Sequence, residues 1–68
     1  MHIELGTKAF DNNERFIGKV DKTLLNTLTG EMAYFFIKDE RAQRNVVCRP
    51  KDVKELSRRK LKLKFSTN

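Results

Sequence analysis

One cysteine, one histidine, one proline and three glycines are all that 68 residues supply of the types that staple, ligate or break a chain. With Cys48 alone no internal disulfide can form, and His2 alone gives no structural metal site of the usual ligand number. Stability must come from packing or from a partner subunit. No apolar run approaches the ~20 residues that span a bilayer. The start, Met1-His2-Ile3-Glu4, has neither the basic residues nor the apolar stretch of a signal peptide. The expected compartment is the cytoplasm, where Cys48 stays reduced. A chain this short buries only roughly 60% of its unfolded surface. A single domain over residues 1–68 is expected, with 66–68 a frayed tail, and the small core favours self-association.

Charge is unevenly placed. The formal net charge is +6, yet residues 1–48 carry seven basic and seven acidic side chains. Residues 49–64 carry eight basic side chains against Asp52 and Glu55, so the excess lies in the last quarter of the chain. Such asymmetry attracts phosphate backbones, anionic lipid or acidic protein faces without choosing among them.

The hydrophobic pattern repeats every second residue far more often than at helical spacing. In Lys60-Leu61-Lys62-Leu63-Lys64-Phe65 the apolar residues point one way and the lysines the other. Ile3 and Leu5 alternate with His2 and Glu4, which predicts an opening strand ending near Gly6. Lys8-Ala9-Phe10 runs into Asp11-Asn12-Asn13-Glu14, a turn signal. Arg15 to Leu25 reads as a long strand, bent near Gly18, where a missing side chain permits a bulge or the close approach of another strand. In Asn26-Thr27-Leu28-Thr29-Gly30, glycine sits where a hairpin loop needs a left-handed residue, and the Asn26 side chain can close the turn. Met32 to Ile37 is apolar on both faces, which predicts cover on both sides. The polar link Asp39 to Asn45 leads to Val46-Val47-Cys48, and Pro50 takes the chain out of the sheet. Val53 and Leu56, three apart, predict one helical turn over residues 51–56.

The series Gly18-Lys19-Val20, Leu24-Leu25, Asn26, Thr29-Gly30, Met32, Tyr34 and Phe36-Ile37, followed by Pro50 and a closing alternating strand, resembles the PRC-barrel family. Leu5-Gly6-Thr7 and Phe10-Asp11 resemble the way these domains open, so the likeness runs from about Leu5 to Phe65. The resemblance implies an all-β fold, a small, mostly antiparallel barrel of five or six strands. It also implies action by binding other macromolecules. The family is named for the cytoplasmic domain of the photosynthetic reaction centre H subunit, it forms the C-terminal domain of a ribosome maturation factor, and its short free-standing members are regarded as adaptors, some linked to archaeal cell division. Two departures are visible. Many members have a glycine-rich apolar loop where this chain has Asp39-Glu40-Arg41-Ala42-Gln43-Arg44-Asn45, and the basic final quarter is not a family hallmark.

Residues that could do chemistry are sparse. His2 has no ligand cluster at metal spacing, and Cys48 beside Val47 reads as a small packing residue. Gly18-Lys19 and Gly6-Thr7-Lys8 lack the second glycine and following helix of a phosphate loop. Adjacent carboxylates at Asp39 and Glu40 point to opposite sides of an extended chain and cannot act as an acid–base pair. No enzyme activity, metal or cofactor is expected.

Two binding candidates remain. Arg58, Arg59, Lys60, Lys62 and Lys64 place five cations within about 20 Å on an extended segment. That is an electrostatic footprint for phosphate, or simply a solubilising device on an edge strand. The segment offers no aromatic for base stacking, because Phe65 alternates inward with Leu61 and Leu63. Tyr34, Phe35, Phe36 and Ile37 form the second candidate, a partner or dimer contact made by whichever pair faces outward. The expected function is a non-catalytic protein-binding adaptor or scaffold, acting as a homodimer. The alternative is a basic β-barrel that binds RNA or DNA through its phosphates. A membrane surface is disfavoured, because no helix with a broad apolar face is predicted.

Overall fold

The first three turns between strands are each closed by a side chain rather than by backbone alone. After β1 (Lys8–Phe10), the Asp11 carboxylate accepts hydrogen bonds from Asn13 N at 2.8 Å and Arg15 N at 2.9 Å, and Glu14 takes φ 62°. After β2 (Phe16–Leu25), Asn26 Oδ1 accepts from Leu28 N at 2.9 Å, and Gly30 adopts φ 75° as a left-handed turn position demands. After β3 (Met32–Asp39), the Asp39 carboxylate accepts from Arg41 N at 3.0 Å and Ala42 N at 3.1 Å, which turns the chain into β4 (Arg44–Cys48). These are Asx-type turns, in which the side chain stands in for a backbone acceptor.

The computed structural model describes residues 2–66. It is an all-β domain with one sheet of six strands in the order β4-β3-β2-β1-β6-β5, where β5 is Val53–Ser57 and β6 is Lys60–Leu63. Every neighbouring pair is antiparallel except β1 and β6, which run parallel. Among the described residues no ladder joins β4 to β5, so both are edges of an open sheet. Among the described residues no helix is long and apolar enough to cross a membrane.

Two bulges in β2 set which residues face inward. Ala9 pairs with Gly18 while Phe10 pairs with Phe16, so Ile17 is the extra residue and both Ile17 and Gly18 are buried. Val20 pairs with Ile37 while Lys22 pairs with Phe36, so Asp21 is extra and the alternation changes phase. Bulges increase local twist, and the resulting curl lets distant strands share one core. Phe35 and Ile37 of β3 are packed in the same cluster as Leu61 and Leu63 of β6, all 1% exposed or less. Each such side chain contributes roughly 1.5–3 kcal/mol by leaving water. Gly18 is buried against the β3 backbone: a Cβ there would overlap the Lys38 carbonyl oxygen.

Two expected elements differ. Residues 3–6 are not a strand. Ile3 is buried at 4% exposure, but Leu5 is 65% exposed and the chain turns through Gly6. Thr7 explains this, because its N–H and its hydroxyl both donate to the Glu4 carbonyl, at 3.2 and 2.6 Å, and close a local turn. The helical turn expected over 51–56 is confined to a 3₁₀ turn at Pro50–Asp52, secured by Arg49 N donating to the Asp52 carboxylate at 2.8 Å. Val53 to Ser57 is strand, with Val53 and Leu56 opposite Leu63 and Leu61 of β6 in a ladder that satisfies the backbone. Of the expected frayed tail, Ser66 accepts a hydrogen bond from Asn13 Nδ2 at 3.3 Å, and Thr67 and Asn68 lie outside the described residues.

Candidate binding face

The inner face of the sheet is filled by its own side chains, so any ligand must meet the outer face or an edge. Residues directly opposite in a ladder project to the same side, and the register therefore maps the outer face row by row. One row runs across four strands. Lys60 of β6 is opposite Lys8 of β1, Lys8 is opposite Lys19 of β2, and Lys19 is opposite Lys38 of β3. All four are exposed, and among the described residues none forms an ion pair. Like charges directly opposite destabilise a sheet, by roughly 0.2–1 kcal/mol per pair. A row of three consecutive like-charged pairs is thus a cost to the free protein.

Apolar residues flank the lysine row on both sides. Toward the β1–β2 turn, Phe10 and Phe16 meet edge to face with centroids 5.5 Å apart, and Lys60 Nζ lies 4.9 Å from the Phe10 ring centre. On the other side, Lys22, Phe36 and Val47 stand opposite one another across β2, β3 and β4, followed by Leu24 opposite Tyr34. Lys22 Nζ lies 5.9 Å from the Phe36 ring centre. Leu24, Tyr34 and Val47 are 41%, 42% and 56% exposed, an apolar patch that reaches the β4 edge.

Of the contact residues expected from the sequence, the structure separates two pairs. Tyr34 and Phe36 face outward. Phe35 and Ile37 are fully buried and cannot touch a partner without unfolding the domain, which corrects their place in the contact set. Among the described residues no segment of the chain covers the outer face at Tyr34, which leaves that side of the strand for a neighbouring subunit or partner, the other expected cover.

The C-terminal basic cluster is also divided. Lys60 and Lys62 share the outer face of β6, Arg58 and Arg59 form the β5–β6 turn, and Lys64 lies beyond the end of the strand. Lys62 is half-buried and pairs with Glu14 at 3.5 Å, while Arg59 meets Glu4 at 4.0 Å. Nor is β6 an edge strand, because it lies between β1 and β5, so edge protection does not account for its lysines. Four further cations without an ion pair among the described residues are aligned along the row. Sequence reasoning missed Lys8, Lys19 and Lys38, and it missed Leu24 and Val47. Each lies at an outward position of an alternating segment, but only the register shows them to be neighbours.

Cys48 is buried, and its thiol is pushed up to about 12, chiefly by desolvation and further by the Asp52 carboxylate. It is a protonated packing group near neutral pH rather than a nucleophile. Among the described residues no three His, Cys, Asp or Glu side chains gather as metal ligands. A concavity of about 190 Å³ between Phe10, Glu14, Glu55, Lys60 and Lys62 mixes both signs of charge. Compared with known families and with curated proteins, the chain matches no family model and no curated protein.

Proposed function

We propose that this chain is a non-catalytic protein-binding adaptor of the PRC-barrel kind, working in the cytoplasm. In this reading the curled six-stranded sheet acts as a small barrel, with β3 and β6 closing around one core although three places apart in the strand order. The observation that carries the function is the outward apolar patch of Leu24, Tyr34, Phe36 and Val47 on a domain of 68 residues whose own core does not use it. Aromatic residues at the centre of a polar-rimmed patch are the usual anchors of protein interfaces. The homodimer expected from the sequence would use this same patch. In a two-fold contact, however, Lys22 and Lys38 of both copies would share one rim, so a partner of different composition fits better.

A tagged pull-down from native extract, with and without nuclease, tests the reading when wild type is compared with Tyr34→Lys and Val47→Lys variants of unchanged circular dichroism. Retention of a discrete protein after nuclease and its loss with both variants is expected. Capture that vanishes with nuclease, or that ignores both variants, refutes it. Sedimentation of the purified chain decides whether the bound species is a second copy.

A second reading, nucleic acid held through its phosphates, draws on the lysine row. With about four phosphate contacts its affinity for duplex DNA should fall with salt at a log–log slope of roughly −3 to −4.

A further inference from the structure

We infer that the partner of this face is an acidic, extended protein segment that lies along the row Lys60, Lys8, Lys19 and Lys38 and sets an apolar side chain on the Tyr34–Phe36–Val47 patch. This rests on the adaptor reading and names the chemistry of the partner.

The row is continuous. Three successive ladder pairings place the four lysines side by side, and at an inter-strand spacing of about 4.8 Å they span roughly 15 Å. An extended peptide covers that distance in about four to five residues, at roughly 3.3–3.6 Å each. No ion pair neutralises the row, among the described residues. Lys62 and Arg59 have Glu14 and Glu4 within ion-pair distance, whereas among the described residues the four lysines of the row have no carboxylate that near. Repulsion across three register pairs is relieved when carboxylates from a partner lie between the ammonium groups, so the charge pattern is complementary to an acidic chain and opposed to a second copy.

The aromatic neighbours argue for carboxylates rather than stacked bases. The Lys60 ammonium sits over the Phe10 ring and the Lys22 ammonium over the Phe36 ring, on the π faces where a nucleobase would stack. What stays open beside the row is the rim of Phe36 with Tyr34 and Val47, which suits one aliphatic or aromatic side chain.

Fluorescence anisotropy on the full chain tests this with three labelled probes: a peptide of five glutamates followed by Gly-Phe-Leu, the same peptide with glutamines, and a single-stranded oligothymidylate. The glutamate peptide is expected to bind about tenfold or more tighter than the glutamine peptide at low salt, with the difference shrinking as salt rises. A Lys8→Gln, Lys19→Gln, Lys38→Gln triple variant should lose that advantage, and the corresponding triple arginine variant should keep it. Equal binding of the two peptides, or no effect of the glutamine variant, overturns the inference. So does oligothymidylate binding tighter than the glutamate peptide, which would assign the row to nucleic acid. If the captured protein of the pull-down survives the triple glutamine variant but is lost with Tyr34→Lys, the adaptor reading stands and only the acidic partner falls. Loss of neither refutes both.

Discussion

Lys19, like Lys8, is flanked by lysines on both sides of its strand, with Lys8 opposite on one side and Lys38 opposite on the other. Reversing its charge should therefore stabilise the free protein. At a separation of about 6 Å in water, two unit charges interact by roughly 0.7 kcal/mol. Screening at about 0.1 M salt, where the Debye length is about 10 Å, reduces this to roughly 0.4 kcal/mol. Lys19→Glu changes two repulsions of that size into two attractions, a gain of at most about 1.5 kcal/mol. Asp21 and Glu40 line the same shallow depression as Lys19 and Lys38, and their repulsion of the new carboxylate brings the expected gain to about 0.5–1 kcal/mol. For a domain of this size that is a rise in melting temperature of roughly 2–8 °C. Thermal unfolding followed by circular dichroism would read it, with Lys19→Gln giving about half the effect. At about 1 M salt, where the Debye length is about 3 Å, the gain should nearly vanish. A variant no more stable than wild type at low salt, or a gain unchanged at high salt, refutes the claim that the row is an electrostatic cost. The same substitution should weaken binding of the glutamate peptide, so stability and binding are expected to move in opposite directions.

Gly18→Ala should be severe, since the new Cβ would overlap the Lys38 carbonyl oxygen and lie 2.9 Å from its carbon, and only separation of β2 from β3 relieves it. A loss of about 3 kcal/mol or more in urea denaturation is expected, and a loss under about 1 kcal/mol would show that the strands do not approach as described. Cys48 has a folded-state pKa of about 12 against an ordinary value of 9.0, so a raised pKa makes its contribution to stability complete below about pH 9 and progressively lost as pH climbs toward 12. Urea midpoints of wild type minus Cys48→Ala should fall across that alkaline window, and a difference that stays flat would count against the buried thiol.

The strands were legible where sequence alone sets local geometry. Asn26 and Gly30 mark their turn because one supplies a side-chain acceptor and the other a left-handed φ, and both do so here. Gly18 reads as a point of close strand approach because no other residue leaves the room. Leu61 and Leu63 alternate with lysines and are buried as that pattern requires. The misreadings share one physical origin. Ile3-Glu4-Leu5 alternates as a strand would, yet the Thr7 hydroxyl captures the Glu4 carbonyl and turns the chain. Val53 and Leu56 have helical spacing, yet pairing with Leu63 and Leu61 outweighs one turn of helix. In each case a specific partner decided between two local conformations of similar energy.

The binding face obeys the same logic at larger scale. Net charge by sequence segment placed the basic surplus after residue 48, while the sheet sets β1 beside β6 and so brings Lys8, Lys19 and Lys38 into line with Lys60. Those lysines are 52, 41 and 22 positions from Lys60 along the chain. Their alignment depends on the parallel β1–β6 pairing and on the phase changes at Ile17 and Asp21. A one-residue slip in any of these ladders would turn a lysine of the row toward the core. The strand register that buries Leu61, Ala9, Val20 and Ile37 on one side is therefore the same constraint that assembles four cations on the other. The face cannot lose its charge alignment without the core losing its packing.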